Sequence, residues 1–206
     1  SFLKSKNKSF LRVPANLIIL MYNGVVSLFN FKNIKDCTIE RYSQEQLTSI
    51  LGLDDFFEKW QKEQSIALLK SYDFLKWRLG APDKEYSILI LRRQDEIIGY
   101  TILREVIKET VPCIGILDFS LLKNYKEYSS VLFRKIEKVC KEKKAELILM
   151  MMMKEQAKSN HVFQNGFFKT PFKFSFIINQ FDQSINKTEL FNEKNWRLMW
   201  IDSDDL

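Results

Sequence analysis

The chain has 206 residues, 46% of them hydrophobic and 28% charged, which is enough apolar material for a full core and too much for a disordered chain. Its net charge is +6, but 26 acidic residues are interspersed among 32 basic ones, so the charge reads as a solvated surface, and no basic-aromatic motif points to nucleic acid. Cys37, Cys113 and Cys140 lack metal-ligand spacing and read as core thiols of a reducing compartment, the cytoplasm; with His161 the sole histidine, no metal site is expected.

Lys4, Lys6 and Lys8 precede Leu11 to Phe31, an apolar run broken by Arg12, Pro14, Asn16, Asn23, Gly24, Ser27 and Asn30. These interruptions and the lack of a small-x-small cleavage site argue against a secretory signal, and no run reaches the roughly 18 apolar residues of a membrane span. Residues 1–35 are expected to be an amphipathic linker or the remnant of a missing N-terminal half, and residues 36–206 the folded domain.

From Asp36 to Tyr42 the alternation predicts a first strand, and Ser43 with Gln46 three residues on predicts a capping box opening a helix that stops at Gly52. Asp54 is expected to cap a second helix with Phe56, Phe57 and Trp60 on its apolar side, and Asp73 to Arg78 form a third short element closed by Gly80 and Pro82. Tyr86–Arg92 and Ile97–Arg104 are β-rich runs around the polar turn Arg93–Glu96, an antiparallel hairpin.

The centre of the chain is a β-α-β unit. Ile114 to Leu121 is apolar apart from Asp118 and Ser120, as suits a strand buried on both faces. Leu132, Ile136, Val139 and Cys140 then fall on one side of a helix over Tyr125–Lys144, and Ala145–Met153 reads as a second central strand, parallel to the first by a right-handed crossover. Lys154–Gln164 predict a shorter helix, Phe167–Thr170 and Lys173–Asn179 two strands split by Pro171, and the segment from Trp196 a last strand with an acidic end. Two parallel strands parting beside a helix N-terminus make a natural phosphate-binding cleft.

Two motifs carry a resemblance. Glu96-Ile97-Ile98-Gly99-Tyr100 is similar to the glycine-bearing third strand of the GNAT acyltransferase superfamily, and Val162-Phe163-Gln164-Asn165-Gly166-Phe167 to that family's helix-into-strand ending. The order of elements over roughly residues 36–179 resembles the same family. A narrower resemblance, to a bacterial GNAT-like branch, rests on Phe74-Leu75-Lys76-Trp77-Arg78, on Tyr86, and on Trp196 with Asp202 and Asp204; members of that branch tend to carry a further acyltransferase-like half before the one seen here.

The resemblance implies an α/β fold with a mixed, mostly antiparallel twisted sheet and helices on both faces. It implies N-acyl transfer from acetyl-CoA to a small-molecule amine by direct in-line attack. The cofactor would lie along Phe119, Ser120 and Leu121 and at Lys123, Lys126, Ser129 and Ser130. The family's glycine-rich phosphate loop is missing, because no glycine occurs between Gly115 and Gly166, although Ser129 and Ser130 are small and the two lysines supply charge.

The family's proton-donating tyrosine is replaced by Val162, leaving His161 and Tyr128 as substitutes. Asp118, on the strand beside the cleft, is the candidate base, with a pKa expected to be raised by burial, and Glu146 lies on the neighbouring strand. A hydrogen-bonded structural aspartate is the alternative. Trp77, Arg78 and Tyr86 are the candidate substrate residues, and a structural lock with Trp196 and Trp200 is the other reading of Trp77-Arg78. The competing function is a GNAT-shaped module without catalysis, serving as partner or scaffold to a missing half.

Overall fold

A computed structural model describes residues 36–82, 84–171, 174–182 and 184–203. The predicted linker at 1–35 lies outside these residues, as does the acidic end at 204–206.

Five strands form one sheet in the order β1-β3-β4-β5-β6: β1 Thr38–Ser43, β3 Tyr86–Arg93, β4 Glu96–Lys108, β5 Val111–Leu121 and β6 Leu147–Met150. All neighbours are antiparallel except β5 and β6, so the sheet is mixed and mostly antiparallel, as expected. Gln94 and Asp95 at the β3–β4 turn, and Glu109 and Thr110 at the β4–β5 turn, have positive φ, matching the twist of a two-residue hairpin.

Helices cover both faces. Phe119 of β5 stacks on Phe133 of α3 (Ser129–Glu142), with ring centroids 4.5 Å apart. On the other face Tyr100 of β4 meets Phe56 and Phe57 of α1 (Leu53–Lys62) edge to face. A shorter helix, α2 (Tyr72–Leu79), is capped by the Ser71 hydroxyl, which accepts from the Phe74 N–H. The core runs from Leu47, Phe56 and Trp60 across the sheet to Leu132 and Ile136.

Several expected elements differ. The capping box at Ser43–Gln46 forms, but it opens a 3-10 segment, Gln44–Ser49. Gly52 with positive φ, and not Asp54, stands before α1; the Asp54 carboxylate instead accepts from the Tyr72 N–H and ties α2 to α1. The strand expected over Ala145–Met153 shrinks to Leu147–Met150 and is the half-exposed edge of the sheet. The second helix of the unit is short (α4, Lys154–Ser159), followed by a 3-10 turn at Phe163–Asn165.

Neither strand expected within 167–179 is present among the described residues, and Phe168, Phe174, Phe176 and Ile177 are exposed. Alternation there matches a strand, yet β-propensity reflects fit to a paired surface, and among the described residues no strand pairs with it. A helical turn, α5 (Lys187–Leu190), then leads to β7 (Trp196–Arg197), which pairs in parallel with an unexpected two-residue strand, β2 (Ile66–Ala67).

Candidate active site

The parallel pairing of β5 and β6 runs from Cys113–Leu147 to Ile116–Met150 and stops there, while β5 continues to Leu121 against β4 alone. Beyond Ile116 the free edge of β5 carries carbonyls that need donors. Two are satisfied by cationic side chains: Arg197 donates to the Phe119 carbonyl, and Lys126 Nζ to the Leu121 carbonyl at 2.9 Å and to Asn160 Oδ1 at 3.1 Å. Burial pulls the Lys126 amine down to about 8, and nearby Arg197 adds to the effect.

Beside this edge, on the face covered by α1, lies a buried charge cluster. Lys70 follows β2 and pairs with Asp118 Oδ2, to which the Tyr100 hydroxyl also donates. Arg197 Nη2 lies 4.0 Å from Asp118 Oδ1, and Lys70 Nζ lies 3.7 Å from Asp202 Oδ1. Lys70 and Asp118 are fully enclosed, and the side chains of Arg197 and Asp202 are 4% and 1% exposed. Both cations face the Trp60 ring, Lys70 Nζ at 5.4 Å and the Arg197 guanidinium at 5.6 Å from its centroid. Two positive and two negative charges thus balance out of water, the arrangement in which buried ions are tolerated.

The cluster corrects the expected basicity of Asp118. Burial pushes its carboxyl up, but Lys70, Arg197 and the Tyr100 hydroxyl together outweigh burial and hold it below the usual range, so it is ionised and paired. Asp202 moves the opposite way: burial dominates and raises it, because Lys70 stands beyond hydrogen-bond distance. Tyr100 is raised strongly by burial and by the neighbouring Asp118 charge. Lys70, Tyr100 and Arg197 were missed in the sequence, since a lone lysine in a loop and a tyrosine in an apolar strand carry no spacing signal.

The other candidate residues are not gathered here. Tyr128 is buried where the 3-10 segment Lys123–Tyr128 meets α3, and its hydroxyl bonds Asp36. His161 is half-buried after α4 in a left-handed conformation. No hydrogen bond among the described residues joins Asp118, Tyr128 and His161. Glu146 is exposed, outside the cleft. Trp77 is 71% exposed, while Arg78 donates to the carbonyls of Ile201, at 3.0 Å, and Ser203, so it is Arg78 that grips the C-terminal segment. Tyr86 instead lines a groove of about 470 Å³ with Tyr42, Arg41 and Arg104. That groove adjoins Ile114, at the end of β5 remote from the parted edge, and holds none of the cluster.

In the expected phosphate loop, the Lys123 N–H is accepted by the Glu63 carboxylate at 2.8 Å, Ser129 Oγ is buried with no hydrogen-bond partner, and Ser130 donates weakly to the Glu127 carbonyl. Gly99, in the expected motif, faces Leu121 across the sheet; a Cβ there would run into the Leu121 side chain and the Ser120 carbonyl. Among the described residues no group of His, Cys, Asp and Glu could hold a metal ion, and no helix is long and apolar enough to cross a membrane.

A mostly antiparallel five-stranded sheet, helices on both faces, and parallel strands that part ahead of a helix define the GNAT acyltransferase fold, and this chain has it. An aminoglycoside acetyltransferase from an uncultured soil metagenomic sample superposes with a TM-score of 0.52 at 14% identity, covering 71% of this chain and 99% of the other. Ribosomal-protein-alanine N-acetyltransferase from Brucella melitensis biovar Abortus 2308 superposes at 0.51 and 7% identity, covering 70% and 99%. A GNAT family acetyltransferase of Staphylococcus aureus subsp. aureus USA300_TCH1516 gives 0.50 and 16%, covering 69% and 99%. At such identities the likeness establishes the fold. No family model matches the sequence, and no curated protein matches it.

Proposed function

We propose that this chain is an acyl-CoA-dependent N-acyltransferase that moves an acetyl group to a primary amine by direct attack. The observation that carries the reading is the parting of β5 from β6 after Ile116 and Met150, in a fold shared with N-acetyltransferases. In this reading acetyl-CoA lies along Phe119, Ser120 and Leu121, with its phosphates toward Lys123, Ser129 and Ser130; the buried Ser129 hydroxyl, without a partner, is a donor that fits such a ligand. Asp118, ionised but enclosed and paired with Lys70 and Tyr100, holds the parting strand in place, while the amine gives up its proton to water and the leaving thiolate takes one from water. The acceptor is a small amine, the class to which the aminoglycosides named for one structural neighbour belong.

The second reading, a GNAT-shaped partner or scaffold without catalysis, is favoured by the donors already placed on Phe119 and Leu121 and by Glu63 on the Lys123 N–H. Calorimetric titration with acetyl-CoA and free CoA separates the two. Micromolar binding, followed by labelled acetyl transfer to any of a panel of amines, supports the enzyme; silence up to millimolar favours the scaffold.

A further inference from the structure

The C-terminal segment lies beside the cleft and is fastened at several points, starting with the pairing of β7 with β2 and the bonds of Gln156 to Trp196 and Arg197. Arg197 donates to the Phe119 carbonyl and, at 3.2 Å, to Ser120 Oγ. Met199 forms an antiparallel bridge with Met152, just past the end of β6. Arg78 of α2 donates to the Ile201 and Ser203 carbonyls. Asp202 turns inward to Lys70, and its second oxygen accepts from the Met199 N–H at 2.8 Å. Trp200 lies over Gly115, where a Cβ would touch its ring at 3.6 Å.

We propose that residues 196–203 are a built-in plug: with Lys126 they occupy the free edge of β5 from within, and the segment has to withdraw before a thioester arm can take that edge. This rests on the acyl-CoA reading and adds the regulation of the same site. The argument is one of competing donors. A strand edge released by its neighbour presents carbonyls two residues apart, and an amide-bearing arm laid along it needs those acceptors. Here Phe119 and Leu121 already have donors, and Arg197 belongs to a segment that lies across the cleft. Since only the withdrawn form binds, the apparent affinity for CoA is lowered in proportion to the withdrawn fraction. The motif residues Arg78 and Asp202 then have a shared purpose, because Arg78 is the outer clamp and Asp202 the inner one.

Two changes with opposite expected effects test this in the full chain. Met152→Cys with Met199→Cys puts two thiols across an antiparallel bridge, where Cα separations suit a disulfide. The oxidised protein is expected to lose CoA binding at least tenfold and to regain it on reduction, with oxidised wild type as the control for native thiols. Arg78→Ala, which removes the outer clamp, is expected to tighten CoA binding by tenfold or more; a merely structural arginine would weaken it or change nothing. Equal binding by the oxidised and reduced forms overturns the plug and leaves the acyl-CoA reading standing. Hydrogen exchange supplies a readout free of CoA. Amides of residues 196–203 are expected to open well before those of β4 and β5, and exchange only on global unfolding overturns the plug. Failure of every form to bind CoA, with early opening intact, removes the acyl-CoA reading and the proposed purpose of the plug together.

Discussion

Asp118 acts first as a structural anion. It accepts from Lys70 and Tyr100 with no exposure to water, and removing one partner of such a pair strands the other. Asp118→Asn is therefore expected to destabilise the fold by about 3–5 kcal/mol in urea denaturation, whereas Asp118→Leu with Lys70→Met, which discards both charges, should cost less than the single change. A single mutant as stable as wild type would contradict the pairing. Lys126 gives the complementary pH test. Its amine titrates at about 8 when folded, against an ordinary 10.5, so between those values the unfolded chain holds more protons and stability rises with pH. The stability difference between wild type and Lys126→Met should shift in favour of wild type over pH 8 to 10.5, by about 1–3 kcal/mol; a flat difference would show that the amine is not buried.

At the scale of elements, the glycine of the β4 motif has a packing reason. Gly99 lets Leu121 close over it at the end of β5, so Gly99→Ala is expected to cost about 1–3 kcal/mol through overpacking, read as a fall in thermal midpoint. An unchanged midpoint would mean that Leu121 can move aside freely. The hairpin, β5 and α3 were legible in the sequence because each has a strong period or turn: Arg93–Glu96 between β-rich runs, and Leu132, Ile136 and Val139 on one face. The alternating run through Phe174 and Phe176 misled, because alternation records fit to a paired surface, and among the described residues no strand pairs with it. The short β2–β7 pair was illegible, as two residues carry no period. Asp118 could be singled out as a carboxylate in an apolar strand, but its neighbours Lys70 and Arg197 come from 48 and 79 residues away in sequence, so the sign of its pKa shift was hidden.

For the whole molecule, the GNAT fold brings a parted strand edge, a charge-balanced interior and a C-terminal clamp into one place, and the account stands on acetyl-CoA using that edge. Hydrogen exchange of the full chain, with and without millimolar acetyl-CoA, addresses this most directly because it reports where the ligand rests as well as whether it binds. The expected result is added protection in residues 117–130, with loss of protection in residues 196–203 as the segment withdraws. No change anywhere, or protection confined to the groove at Tyr42, Tyr86 and Arg104, would contradict it.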